Sequence, residues 1–292
     1  MGVIRASHNV LEMKRVHYLD WLDSRVREVR LDGADIIELN FEPALPDRIE
    51  ACEAIAQAIM REAFRINTLP FCVRSSSPKI LNAAIRFGVA MVCTTASCLT
   101  QCPDFSTTDN KNLNVVLPTL TETDARALRK KRLHKEPTSE SSSDRRATAI
   151  DLGEKRLPEI FELVVADFQL QRTQLIDLGV QPTQIGLALD DGFASTDSDY
   201  RTLLPSREQL ADFPFPMLLN LNPIGLRMDA VGSAEATTET RIAIASSLTA
   251  IASFLGIGCV RTEFPKDLSV VINMLEMLRR SNNSSQGESK SQ

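Results

Sequence analysis

The sequence predicts an α/β fold of eight β/α units, which is the (β/α)8 or TIM barrel. Short apolar runs alternate with longer segments of helical spacing, the pattern of parallel strands joined by crossover helices. Eight such runs occur in a chain of 292 residues, a length that suits a barrel with insertions. A doubly wound nucleotide-binding fold is the weaker alternative, because no G-x-G-x-x-G motif or P-loop follows any predicted strand.

Each predicted strand is a short apolar run that is bounded by turn-forming or charged residues. The eight runs are Gly2–Ile4, Asp35–Leu39, Pro70–Val73, Ala90–Cys93, Asn114–Leu117, Ile185–Leu189, Pro216–Leu219 and Gly258–Arg261.

Helical spacing fills most of the intervals between these runs. The predicted helices are Tyr18–Leu31, Arg48–Phe64, Pro78–Phe87, Leu157–Leu178, Ser206–Ala211, Thr238–Leu255 and Lys266–Arg280.

Two details of this pattern concern helix ends and helix length. The stretches LDGADIIEL and LGVQPTQIGLAL each end a helix near a glycine and re-enter an apolar strand a few residues later. The interval from Ser97 to Leu113 is too short and too polar for a full helix, so we expect one outer helix to be reduced or absent.

We expect one barrel domain over residues 1–280, with an insertion at about 121–150. Thr121–Arg146 is charged, serine-rich and nearly free of large apolar residues, which indicates a long mobile loop on the catalytic face. A basic run within it, Arg129–Lys135, is interpreted either as a solvated loop or as an anion-binding or partner-binding patch. Residues 281–292 are polar throughout and are expected to be disordered.

Composition excludes several classes of protein. With 43% hydrophobic and 24% charged residues the chain is globular rather than fibrous or disordered. A net charge of −5 argues against a nucleic-acid partner bound through phosphate neutralisation, and no apolar run is long enough to cross a membrane. With no apparent signal peptide, a cytoplasmic protein is expected, and its six cysteines are expected to be reduced thiols.

Several motifs resemble those of the dihydropteroate synthase family, the pterin-binding TIM barrels of folate biosynthesis. LDGADIIELNFEPALPD is similar to the family's A-G-A-D-I-I-D-I-G-G-E-S-T-R-P-G. VRSSSPKILNAAIRFGVAMVCTT is similar to the segment from I-D-T to I-N-D, and LGVQPTQIGLALDDGFAST to the segment that ends in G-F-x-K-T. The resemblance extends from Met1 to about Leu278 and implies a divergent barrel of the dihydropteroate synthase type.

The scaffold positions of these motifs match, whereas most positions that carry the family's chemistry differ. The resemblance places Arg5 at the asparagine of the first strand, Arg74 at the aspartate of I-D-T, and Cys93 at the asparagine of N-D. Glu42 remains in the loop after strand two, and Asp190 stands at the pterin-holding aspartate. Other family residues fall on Thr94, Ser195, Ile224, Val260 and Thr262, although a shift of one residue in strand eight would return Arg261 to the family's arginine position.

The candidate ligand-binding residues are polar side chains at or near the carboxyl ends of predicted strands, where barrel sites are built. Arg5, Arg74 and Arg261 are interpreted either as rim cations paired with Glu42, Glu263 or Asp190, or as one anion pocket with His8 nearby.

Further polar candidates follow strands six and seven. Asp190 and Asp191 suit a helix cap, a general base or a pair of metal ligands. Asn220 and Asn222 alternate along strand seven, so both point to one face. The spacing of Cys93, Cys98 and Cys102 matches no common zinc pattern, and no metal site is predicted.

Two functions stay open from the sequence. One is a homologue that has lost the synthase reaction and acts as a binding or partner module, with a pterin or an anion as ligand. The other is an active synthase or related pterin-dependent transferase with a rebuilt site, which the resemblance implies would use Mg²⁺ and join a dihydropterin pyrophosphate to p-aminobenzoate. The methionine-rich LSVVINMLEMLRR either closes the barrel's outer layer or pairs the chain in a homodimer or with a true synthase.

Overall fold

A computed structural model describes residues 1–5, 15–41, 49–66, 68–107, 112–118, 164–189, 213–221 and 237–288. Eight strands form one parallel sheet in which each strand pairs with the next along the chain. The strands are β1 Gly2–Arg5, β2 Ile37–Asn40, β3 Phe71–Arg74, β4 Met91–Cys93, β5 Asn114–Pro118, β6 Ile185–Leu189, β7 Met217–Asn220 and β8 Cys259–Arg261.

The sheet closes on itself between β8 and β1. The backbone N–H of Thr262 donates to the carbonyl of Met1 at 3.1 Å, and that of Val3 donates to the carbonyl of Thr262 at 3.2 Å. The predicted TIM barrel is confirmed, and every predicted strand lies within two residues of an observed one.

Helices connect the strands on the outside of the barrel. They are α1 Arg15–Leu31, α2 Ile49–Ile66, α3 Pro78–Arg86, α4 Ala96–Leu99, α5 Pro103–Thr107, α6 at residues 164–177, α7 Thr238–Phe254 and α8 Pro265–Glu288.

Two apolar clusters follow from the alternation of side chains along the strands. Outward residues such as Leu39, Val73 and Val260 pack against the helices in the larger cluster. Inward residues, among them Cys72 and Leu218, fill the barrel interior. Because successive residues of a strand face opposite sides, the inward set is fixed by the register of the sheet.

The outer layer is thin between β4 and β5, as predicted from the short polar interval. Instead of one full helix the chain forms the two short helices α4 and α5, anchored by the buried side chains of Leu99 and Phe105. The thiols of Cys98 and Cys102 donate to the carbonyls of Ser76 and Pro78, each at 3.3 Å. These bonds tie the short segment to the start of α3.

Glycine ends α1 and α6 where the sequence predicts it. Gly33 has φ of 86° and Gly179 has φ of 91°, a left-handed conformation that costs glycine little because it has no Cβ. The N–H groups of Ala34 and Val180 then bond back to Val29 and Leu175, closing each helix end.

Some predictions lie outside the described residues, and one differs from the structure. The expected helix Ser206–Ala211 and the insertion at 121–150 are not described. The last helix continues to Glu288, eight residues into the tail that is expected to be disordered. Among the described helices, none combines the length and the apolar character that a membrane span requires.

Asp104 provides a pH-dependent link between α3 and α5. Its carboxylate accepts from Asn82 Nδ2 at 2.7 Å and from Arg86 Nε, and the hydrogen bond from Arg86 lowers the pKa of Asp104. Because the pKa is lower in the folded state, this interaction stabilises the protein above the unfolded-state pKa and is lost as pH falls through the folded-state pKa.

We therefore expect Asp104→Asn to lower the midpoint of urea unfolding at pH 7 and to have a shrinking effect as pH falls below about 4. Asp177→Asn, an exposed change at the end of α6, is the control and should leave the midpoint nearly unchanged. A destabilisation by Asp104→Asn that stays constant between pH 7 and pH 3 would contradict the assignment.

Candidate functional site

The candidate site lies inside the mouth of the barrel, at the carboxyl ends of the strands. Sheet register pairs Arg5 with Asn40, Asn40 with Arg74, and Arg74 with Cys93, so these four residues share one level of the barrel. On the opposite side, Asn220 of β7 pairs with Arg261 of β8. Since polar residues end neighbouring parallel strands here, the fold brings them to one edge.

A buried ion pair joins β2 to β8 across the first strand. Arg261 Nε donates to both carboxylate oxygens of Glu38 at 2.9 Å, and Arg261 Nη2 donates to Oε1 at 2.7 Å. The side chains are only 3% and 0% exposed. The guanidinium fork and the carboxylate therefore meet in a bidentate arrangement, the strongest geometry for such a pair.

Asn220 completes this cluster from β7. Arg261 Nη1 donates to Asn220 Oδ1 at 2.9 Å, and the Asn220 side chain is 2% exposed. Three strands therefore contribute to one buried polar network. Because unpaired charges cost several kcal/mol each in an apolar interior, the cluster is stable only while its partners remain together.

Arg74 is the second guanidinium of the described interior. It ends β3, is half-buried, and its Nη1 donates to Cys93 Sγ at 3.4 Å. A thiol sulfur is a weak acceptor, so this contact is weaker than a bond to a carboxylate oxygen. The Arg74 guanidinium therefore lies at the mouth, beside the Cys93 thiol.

The deeper cysteines of the interior are neutral thiols. Burial raises the pKa of Cys72 well above its usual value, and the nearby carboxylate of Glu38 raises it further. Burial likewise raises the pKa of Cys259. The five described cysteines form no disulfide bond. Because neither deep thiol ionises at neutral pH, these two cysteines act as small core residues.

The structure assigns different surroundings to the residues that the sequence singled out. Arg261 and Asn220 come together in the buried cluster, and Arg74 faces the mouth beside Cys93. Arg5 is described only in its backbone, at the end of β1. Glu42, Asp190 and Asn222 lie outside the described residues, as do His8 and Asp191.

Two features of this site differ from the sequence expectation. Arg261 is buried rather than placed at the rim, and its carboxylate partner is Glu38, which sequence analysis did not single out. The sequence did hold a signal, because Glu38 is the one charged residue between Ile36 and Phe41 in an apolar strand. A buried carboxylate requires a partner.

The described part of the chain contains no group of side chains that is arranged to bind a metal ion. No three His, Cys, Asp or Glu side chains there are grouped to hold an ion. Mg²⁺ prefers carboxylate oxygens. The described mouth offers the amides of Asn40 and Asn220 and the carboxylate of Glu38, which Arg261 already binds, so its residues do not fit the ion that the resemblance implies.

We expect removal of one member of the buried pair to destabilise the protein far more than removal of an exposed pair. Arg261→Met leaves the Glu38 carboxylate buried without its cation and should lower the free energy of unfolding by about 3–5 kcal/mol. The double variant Glu38→Leu/Arg261→Met removes both charges and should be destabilised by less than the sum of the single variants. Urea unfolding at pH 7 measures all three.

Glu276→Gln is the matched control, because Glu276 pairs with Arg280 on the exposed surface of α8 at 3.2 Å. Its cost should stay within about 1 kcal/mol. Strictly additive effects of Glu38→Leu and Arg261→Met would show that the two side chains do not interact as described.

The fold of this chain is similar to that of several solved structures. No family model matches the chain, and no curated protein sequence matches it. A Yersinia pestis dihydropteroate synthase solved with a pterine–sulfa conjugate superposes with a TM-score of 0.68 at 14% identity, covering 96% of this chain and 93% of that one.

Two further structures agree with this match. The dihydropteroate synthase of Xanthomonas albilineans, in complex with 7,8-dihydropteroate, gives a TM-score of 0.66 at 15% identity over 96% of this chain and 92% of that one. The Coxiella burnetii enzyme, in complex with pteroic acid, gives 0.64 at 18% identity over 96% and 93%. The chain therefore has the fold of the dihydropteroate synthases.

Proposed function

We propose that this chain is a divergent barrel of the dihydropteroate synthase type that has lost the synthase reaction and serves as a binding or partner module. The observation that carries the proposal is Arg74. Its guanidinium projects into the mouth at the end of β3, at the place that the sequence resemblance gives to the family's pterin-binding aspartate.

The chemistry of the pterin edge explains why this residue matters. A pterin presents N–H donors that need a carboxylate or amide acceptor, whereas a guanidinium carries five donors and no acceptor. Cys93, the registered neighbour of Arg74, supplies only a weakly accepting sulfur in place of the family's asparagine. An N–H edge that enters this side of the mouth therefore meets donors where it needs acceptors.

The state of Arg261 also supports the proposal, because a synthase needs a cation to stabilise the departing pyrophosphate. Val260 packs outward among the helices while Arg261 faces inward, which favours the shifted register that gives Arg261 the family's arginine position. Arg261 is nevertheless engaged by Glu38 and Asn220. A cation already neutralised by a buried carboxylate contributes less to the stabilisation of a developing anion.

The active-synthase alternative is tested by turnover. We expect purified protein, supplied with a dihydropterin pyrophosphate, p-aminobenzoate and Mg²⁺, to form no dihydropteroate above the rate without protein, because Arg74 puts N–H donors where the resemblance gives the family's pterin-binding carboxylate. A true synthase assayed in parallel is the positive control. Dihydropteroate formation that Arg74→Ala abolishes would overturn the proposal and establish a rebuilt site.

An exposed apolar surface on α7 and α8 supports a proposal about partners. One face of α8 carries four exposed apolar side chains at helical spacing, each 51–72% exposed: Val270, Met274, Met277 and Leu278. The neighbouring helix α7, which packs against α8, exposes 77% of Phe254. The opposite face of α8 closes the outer layer through the buried Leu268. We propose that a second copy of the chain covers the exposed face.

This pairing predicts a homodimer in solution. Met274→Glu/Met277→Glu places charges on the exposed face and should convert the dimer into a monomer of 32.3 kDa, as measured by light scattering after size exclusion. Asp177→Lys, an exposed change on α6, is the control and should leave the dimer intact. A wild-type monomer across micromolar concentrations would contradict the proposal and direct attention to association with a true synthase.

We also propose a cytoplasmic location. The five described cysteines are thiols that form no disulfide bond, the state that reducing compartments preserve.

A further inference from the structure

We propose that Met274 and Met277 form an oxidation-sensitive site on the exposed face of α8, where a hydroperoxide converts both thioethers to sulfoxides and separates the paired chains. The inference rests on the proposed function, since it names the chemical signal that regulates the pairing proposed for this face. Its support comes from the exposure of the two methionines, the burial of other sulfur atoms and the apolar character of the face.

The two methionines are the most exposed sulfur-bearing side chains that the structure describes. Met274 is 63% exposed and Met277 is 72% exposed, and their i, i+3 spacing makes them neighbours on the helix surface. Met60 and Met217 are buried, at 0% and 6%, and the other described methionines are half-buried. Because oxidation follows exposure, a hydroperoxide in the solvent reaches Met274 and Met277 first.

The described cysteines compete poorly for the same oxidant. Four of them are at most 6% exposed: Cys72, Cys93, Cys98 and Cys102. Burial raises the pKa of Cys102 to about 12, and it also raises the pKa of Cys72 and of Cys259. Because the thiolate is the form that attacks a peroxide, such thiols react slowly at neutral pH. The exposed methionines are therefore the preferred targets among the described sulfur atoms.

The reaction at each sulfur is a two-electron oxidation. A lone pair of the thioether sulfur attacks one oxygen of hydrogen peroxide, an S–O bond forms, and the O–O bond breaks. The proton of the transferred hydroxyl passes to the departing hydroxide, so the products are one sulfoxide and one water. The sulfur is oxidised and the peroxide is reduced.

The face around the two methionines explains why a sulfoxide would disrupt pairing. Val270 lies on the same face of α8, and the exposed ring of Phe254 lies beside it at the end of α7, where Arg279 Nη2 donates to the carbonyl of Ser253. A sulfoxide adds a polar oxygen to this apolar face, and burial of that oxygen without a donor costs free energy. A symmetric pair buries the same face in both copies, so the cost applies to each.

Hydrogen peroxide is the probe, and peptide mapping by mass spectrometry measures the oxygen added to each methionine. In the folded chain Met274 and Met277 should be oxidised about tenfold or more faster than Met60 and Met217. In urea, where the chain is unfolded, the four rates should converge. Raising the protein concentration until the dimer predominates should slow the oxidation of Met274 and Met277, because the second copy covers them.

Light scattering after size exclusion measures the consequence for pairing. Peroxide treatment should raise the Kd of the dimer about tenfold or more. Met274→Leu/Met277→Leu is the matched variant, because leucine keeps the face apolar at similar volume and carries no sulfur. This variant should pair like the untreated wild type and remain dimeric after the same treatment.

Three results overturn the inference and leave the proposed pairing intact. They are oxidation of Met274 and Met277 no faster than that of Met60, a dimer Kd that their oxidation does not change, and equal dissociation of the leucine variant by peroxide. The mapping needs only the wild-type chain, so it decides the first result without a variant. An untreated wild-type chain that is monomeric across micromolar concentrations overturns the pairing itself and the inference with it.

Discussion

Glu38 and Arg261 place two opposite charges inside the barrel, at the level where the strands reach the mouth. Their contact spans β2 and β8, which stand on either side of β1, and Asn220 extends it to β7. Only a few backbone bonds close the sheet between β8 and β1. The side-chain network therefore reinforces the closure of the barrel from within, in a region where water cannot replace a lost partner.

The same network decides which charges are available to a ligand. Because Glu38 and Arg261 satisfy one another, neither offers a full charge to the mouth. Arg74 is the other charged side chain that the described strands turn towards the interior, and its guanidinium is a hydrogen-bond donor. The chain keeps the fold of the solved synthases, and that fold alone does not fix the chemistry of the mouth. The fold and the binding properties can change independently, because the packing of the strands against the helices depends on the outward residues. Binding in the mouth depends on the inward residues.

Local patterns in the sequence were sufficient to predict most of the fold. The eight apolar runs, the glycines at the ends of α1 and α6, and the reduced outer layer at α4 and α5 depend on residues close together in the chain. The extra length of α8 was not predicted, because a polar tail gives no period that separates helix from disorder. Helical propensity there is set by the preceding turns.

The site was harder to predict, since its contacts join residues far apart in the chain. Glu38 and Arg261 are separated by 223 positions, and no local pattern reports such a pairing. The sequence did identify Arg74, Asn220 and Arg261 as inward polar residues, but it could not tell that one arginine would be neutralised and the other half-exposed. That distinction depends on the register of strands that are neighbours only in three dimensions.

Calorimetric titration with a 7,8-dihydropterin tests the central claim most directly, because it probes the mouth without requiring turnover. A mouth in which Arg74 faces the ligand and Glu38 is bound to Arg261 should give no heat of pterin binding at millimolar ligand. Saturable pterin binding that Arg74→Ala abolishes would contradict the account, because it would show that the mouth accepts the pterin edge through the residue argued to exclude it.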